Sequence, residues 1–292
     1  MKILCISDIH WEDSRVDVLD KLKQDIEEHS LKIVLFGGDV INDGGNKEEH
    51  VKEFNSILEH LEKLKIHSLV IKGNHDEYSD YESVIEHIES LEFSEEISNS
   101  VTNVCGIDIA GISYSYTSDI KKVRQIQEDF DESYDIVLAH AENKRRIWLF
   151  ELDTDYIITG HYDKKLCMIK NRVFVSLSSY INQRYILDTE MNEMRYIQRP
   201  KFSSEISEYS AKVKKDDNKL DWLKDEYRDS RSSGLNNILN QRYSDMIADL
   251  ICFKNNYQSF DESEQKERVK ELRKNGCSKT LIREYVKYFD FL

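Results

Sequence analysis

Residues 2–10 read Lys-Ile-Leu-Cys-Ile-Ser-Asp-Ile-His, an apolar run that ends in groups able to do chemistry. The same construction recurs. Residues 32–36 (KIVLF) lead into Gly37-Gly38-Asp39, and residues 67–71 (HSLVI) lead into Gly73-Asn74-His75-Asp76. Short β-branched and aliphatic runs bounded by glycine read as buried strands. Between them, Val16–Ile26 and the set Val51, Phe54, Leu58, Leu61 repeat every three or four residues, which suits one buried helix face.

Working outward, strand-like runs follow at 135–139, 155–159, 166–169, 173–177, 184–188 and 194–198. Asn171-Arg172 and Thr189–Glu193 fit hairpin turns between the later ones. Strand–helix alternation followed by consecutive strands predicts an α/β fold, parallel in its first half and antiparallel in its second. Pro200, the only proline, closes this pattern. Beyond it, Ile206, Tyr209, Val213 and later Leu235, Ile238, Leu239 repeat at helical spacing. The expected division is therefore 1–199 and an all-helical region 200–292.

Composition narrows the function classes. The chain has 292 residues and a formal charge of −15. Its first 200 residues hold 23 basic and 39 acidic side chains, the remainder 18 and 17. So acidic a region is a poor general surface for nucleic acid unless bound cations sit in it. No apolar run approaches the ~18 residues of a membrane span. The first strand starts without a basic, apolar leader, so a cytoplasmic protein is expected. Five scattered cysteines with no Cys-x-x-Cys pair fit a reducing compartment and offer no thiolate zinc site.

Five clusters sit at the carboxyl ends of expected strands: Asp8-Ile9-His10, Gly38-Asp39, Gly73-Asn74-His75-Asp76, His140, and Gly160-His161-Tyr162-Asp163. In an α/β sheet, ligands collect at those ends. Alone, Asp8 or Asp39 reads as a helix cap, and His140 or His161 as a core histidine. Together they offer carboxylate, amide oxygen and imidazole, a donor set for Mn²⁺, Fe, Zn²⁺ or Mg²⁺. Arg145 and Arg146 follow His140, and Lys164 follows Asp163, so cations begin beside the same place and are candidates for holding a substrate phosphate.

In these clusters the first ~190 residues resemble the calcineurin-like metallophosphoesterases, whose pattern is D-x-H, G-D, G-N-H-D/E, H and G-H-x-H. The resemblance implies two facing mixed β-sheets flanked by helices, followed here by the helical extension. It also implies two divalent metal ions, Mn²⁺ foremost, bridged by Asp39. Asp8 and His10 would hold the first, with Asp163 in the place of the family's usual histidine, while Asn74, His140 and His161 would hold the second. A metal-bridged hydroxide would attack phosphorus, His75 would assist the leaving oxygen, and Asp76 would orient the His75 imidazole. The expected activity is hydrolysis of phosphodiesters in nucleic acid or nucleotides. A phosphomonoesterase and a non-catalytic scaffold on the same fold are the alternatives. The helical tail is expected to carry a protein partner or self-association. Its segment from Glu267 to Tyr288 faintly resembles a helix-turn-helix.

Overall fold

In the computed structural model the chain divides into two compact units, Met1–Leu166 with Val173–Lys214, and Cys167–Arg172 with Lys215–Leu292. The structure describes residues 1–9, 18–42, 44, 46–142, 145–161, 165–169, 172–177, 183–191, 193–198 and 207–212. In the tail it describes 249, 250, 253, 260, 262–274, 277 and 282.

The strands are β1 (Lys2–Ile6), β2 (Ile33–Phe36), β3 (His67–Val70), β4 (Ser94–Glu96), β5 (Ser100–Val104), β6 (Ile107–Ile112) and β7 (Ser133–His140). Then come β8 (Asp153–Gly160), β9 (Lys165–Ile169), β10 (Arg172–Ser176), β11 (Gln183–Asp188), β12 (Glu193–Gln198) and β13 (Ser207–Lys212). Two mixed sheets result, ordered β13-β12-β11-β1-β2-β3-β4 and β5-β6-β7-β8-β10-β9. Helices α1 (Val18–His29), α2 (Lys47–Lys63) and α3 (Tyr81–Glu89) flank the first sheet.

Alternation along the strands explains the layering. Leu4, Ile6, Val34, Phe36 and Val70 face one way and pack with Leu22, Phe54, Leu58, Leu61 and Val84 of the helices. Phe36 meets Phe54 edge-on at 5.2 Å between ring centroids. Ile3, Cys5, Ile33 and Leu35, on the other face, are equally buried. A sheet covered on both sides needs apolar residues at every position, which is why these strands read as unbroken apolar runs.

Two expectations about pairing change. β7, β8 and β10 are mutually parallel, where an antiparallel second half was expected. About a dozen residues separate β7 from β8, enough for the crossover that parallel pairing needs. Residues 207–212, read as helical, form β13, antiparallel to β12. Without it β12 would expose a row of unpaired backbone groups, and that demand outweighs the helical spacing of Ile206, Tyr209 and Val213. The first unit therefore runs past the expected boundary at 199. Strands β4, β5 and β6 leave no clear pattern in the sequence because they are short or interrupted by polar residues and glycine. In the second unit the helix Glu262–Lys274 is described, with Leu272 buried and Phe253 stacked on Phe260 at 6.1 Å.

Candidate metal centre

The carboxyl ends of β1, β2, β3, β7 and β8 converge. Asp8 follows β1, Asp39 follows β2 and Asn74 follows β3, while His140 ends β7 and His161 follows β8. Asp8, Asp39 and His161 take left-handed φ values of 53°, 53° and 67°. Non-glycine residues rarely adopt that region, and such outliers persist where the surroundings over-determine them. Gly38, at φ 88°, lets β2 turn directly beneath the His140 ring, where a Cβ would strike Nδ1.

The side chains interlock. Asp39 Oδ1 accepts from the His75 backbone N–H at 2.8 Å, and Asp39 Oδ2 lies 3.4 Å from His140 Nε2. Asn74 Oδ1 lies 3.0 Å from His140 Nε2 and 2.6 Å from His161 Nδ1. Asp8 Oδ2 accepts from the His161 backbone N–H at 3.1 Å. His140 Nδ1 faces the Gly37 carbonyl at 2.7 Å. A carbonyl only accepts, so the proton sits on Nδ1 and Nε2 is left to face the donor cluster.

Electrostatics mark a place built for a cation. Asp8 and Asp39 are 7% and 1% exposed, and His140 is fully buried. Burial would lower the His140 pKa, but the hydrogen bond and charge of Asp39, with Asp8 behind, raise it to about 9. Burial, then the neighbouring His140, lowers His161 to about 4, so it stays a neutral ligand. Ligand atoms of Asp39, His140 and His161 all lie within 4.8 Å of one another. Two carboxylates nearly out of water cost several kcal/mol unless a positive ion joins them, so the donor set fits a divalent metal.

Of the expected site residues, Asp8, Asp39, Asn74, His140 and His161 meet here, and His75 joins them through its backbone N–H. His10, Asp163 and Lys164 lie outside the described residues. Two roles change. The carboxylate of Asp76 accepts from the backbone N–H groups of Asp39 (2.8 Å), Ile41 (2.9 Å) and Gly73 (2.8 Å), so it clamps the loops after β2 and β3. It was expected on the His75 imidazole, but three N–H donors within reach claim it first. Burial and then the charge of Asp39 raise Asp76 to about 6. Arg146, expected on substrate, is fully buried. Its Nε donates to the Ala141 carbonyl at 3.0 Å and its Nη2 to the carbonyls of Gly160 (3.1 Å) and His161. Arg145 is 9% exposed and packs over the Trp148 ring at 5.9 Å. Sequence reasoning missed Tyr114, whose ring lies 5.5 Å from His161 and 6.0 Å from His140 and whose hydroxyl donates to Glu142 at 3.1 Å. Burial and then Glu142 raise its pKa to about 12. Tyr114 follows β6, a strand that Asp108 and Gly111 interrupt, so no unbroken apolar run points to it in the sequence.

The family model described as Calcineurin-like phosphoesterase matches residues 1–163. The chain belongs to this family. An uncharacterized metallophosphoesterase of Helicobacter pylori is 23% identical over an alignment of 172 residues that covers 55% of this chain and 44% of that protein. The chain thus spans less than half the length of that relative. A dimetal phosphatase from Danio rerio shares the fold at a TM-score of 0.52 and 10% identity, over 73% of this chain and 99% of that one. Calcineurin-like phosphoesterases typically bind two divalent metals, and Asp39, His140 and His161 are candidate ligands here. No helix among the described residues is long and apolar enough to cross a membrane.

Proposed function

We propose that this chain hydrolyses a phosphodiester with the help of two divalent ions, Mn²⁺ foremost. The observation that carries the reading is the convergence of Asp39, Asn74, His140 and His161 on one cluster, with Asp8 tied to it through the His161 backbone. Asp39, Asn74, His140 and His161 would hold one ion, and Asp8 and Asp39 the other, joined by His10 and Asp163 from outside the described residues. The bound metals would supply a nucleophile at neutral pH and withdraw charge from the phosphoryl oxygens. His140 keeps its ligand nitrogen inward through the Gly37 carbonyl. His75, on the same loop as Asn74, would deliver a proton from its imidazole to the departing oxygen.

A diester is favoured over a monoester because the surroundings are acidic. Glu142 sits on Tyr114 beside the imidazoles, and the charge of Glu77 also reaches that hydroxyl. A monoester dianion is repelled there more than a diester monoanion. Because Arg146 points inward and Arg145 lies on Trp148, a small diester fits better than a long nucleic acid.

The test compares bis-para-nitrophenyl phosphate with para-nitrophenyl phosphate on Mn²⁺-loaded protein. The diester should turn over faster. Equal or faster monoester hydrolysis overturns the diester preference. If loaded protein hydrolyses neither, the enzymatic reading fails and a scaffold on the same fold takes its place.

A further inference from the structure

At the opposite end of the first sheet, a cavity of about 640 Å³ opens among the amino ends of β1, β2 and β3. Lys2, Lys32, Lys65 and His67 line it, with His29 at the end of α1 and Cys105 at the β5–β6 turn. The register brings these cations close. Ile3 pairs with Ile33 and Ile33 with His67, and the Lys32 N–H donates to the Lys2 carbonyl at 3.0 Å. Lys2 and Lys32 therefore open neighbouring strands about 4.8 Å apart. Like charges on directly opposed positions of neighbouring strands repel, which favours a negative group between them.

Two acids, Asp188 and Glu190, also line the cavity, and each already has a partner there. Glu190 holds the Met1 ammonium at 2.9 Å. Asp188 Oδ1 accepts from the backbone N–H groups of Glu190 at 3.1 Å and Met191 at 3.2 Å. Among the described residues, none of the three lysines forms an ion pair, in a chain with 56 acidic and 41 basic side chains. Lys65 also sits at φ 54°, immediately beyond the Leu64 cap of α2, where glycine is the usual residue. A charge is kept at the cavity mouth against its backbone preference. The negative ends of α1 and α2 would account for His29 and Lys65. They do not account for Lys32, which opens a strand, and Lys2 has a single acid, Asp188, opposite it on β11.

We propose that this cavity binds a multiply charged phosphate ligand the size of a nucleotide or a short polyphosphate. Its volume lies within the ~300–1,000 Å³ of small-molecule sites, and its donors are ammonium and imidazole groups. The run of strand from Lys2 to Asp8 sets the two sites about 20 Å apart, so one molecule cannot occupy both as a simple ester substrate.

Cys105, exposed and lining the cavity, reports occupancy directly. Full-length Mn²⁺-loaded protein, freed of excess metal, is alkylated with iodoacetamide under rising tripolyphosphate, and Cys105 modification is read by peptide mass spectrometry. Tripolyphosphate should protect Cys105, and added salt should weaken that protection. The combined Lys2→Gln, Lys32→Gln, Lys65→Gln variant should need at least ten times more ligand, with metal content and circular dichroism unchanged. If the triple variant misfolds, Lys32→Gln alone should still raise the requirement several-fold. Undiminished protection in the variants, or none in the parent, overturns the proposal. So does equal protection by poly-glutamate, which would point to an acidic protein instead. The readout needs no hydrolysis, so it stands or falls independently of the proposed enzymatic activity.

Discussion

The loops after β2 and β3 and the loops after β7 and β8 reach the same centre but are held by opposite charges. On the first sheet, the buried carboxylate of Asp76 gathers three backbone N–H groups, those of Asp39, Ile41 and Gly73. On the second, the buried guanidinium of Arg146 gathers three carbonyls, those of Ala141, Gly160 and His161. The first sheet supplies oxygen donors and the second supplies nitrogen donors. Each clamp satisfies strand-end backbone groups that would otherwise be buried without partners. The donor positions are thus fixed by two charges that touch no ligand themselves, and a mutation at either clamp should resemble a weakened ligand.

Breaking the centre itself should give the largest effect. Asp39→Asn removes the carboxylate that both loop sets share, and metal content measured by mass spectrometry should fall together with esterase activity. The loss should exceed the ~10–100-fold typical of residues that merely support a ligand. Two bound metals and normal turnover in this variant would refute the site.

The clamps should differ from one another. Arg146→Leu leaves three carbonyls without their donor and should cost roughly 3 kcal/mol of stability in denaturant titration, while weakening metal binding about tenfold or more. In Asp76→Asn the amide oxygen can still take the two N–H groups that share Oδ2, so only the Ile41 bond is lost, at about 1–2 kcal/mol. If the Asp76 change proved the more damaging, the loops of the first sheet would be the weaker support.

A pH series sharpens the contrast between the histidines. His140 has a folded pKa of about 9, above its ordinary 6.5, so metal-free protein keeps it protonated at neutral pH. That ion pair stabilises the metal-free fold fully below pH 6.5, and the contribution fades as pH rises through about 9. A metal must displace the proton, so affinity should rise about tenfold per pH unit up to that point. Titration calorimetry in buffers of different ionisation enthalpy should show about one proton released at pH 7.5. His161, at about 4, should release none. Release of no proton would contradict the His140–Asp39 pairing.

The smallest effect is expected at Tyr114→Phe, which removes only the hydroxyl bonded to Glu142. A loss of about 1 kcal/mol corresponds to a few-fold change in turnover or KM. A much larger drop would make Tyr114 a direct substrate contact.

By itself the sequence determined the parallel core of β1, β2 and β3, the helix faces of α1 and α2, and the strand ends that carry Asp8, Asp39, Asn74, His140 and His161. Period and punctuation are local properties, and apolar runs closed by Gly-Asp or Gly-Asn-His carry them without reference to the rest of the chain. Tertiary structure decided where Asp76 and Arg146 point, because a buried charge goes to whichever backbone groups lack partners, and those come from strands distant in sequence. It decided the strand β13, because the open edge of β12 needed pairing more than residues 207–212 needed a helix. It also decided that Lys2, Lys32 and Lys65 share one cavity. Nothing in their spacing of 30 and 33 positions suggests it, and only the lateral pairing of three parallel strands brings their charges within reach of a single anion.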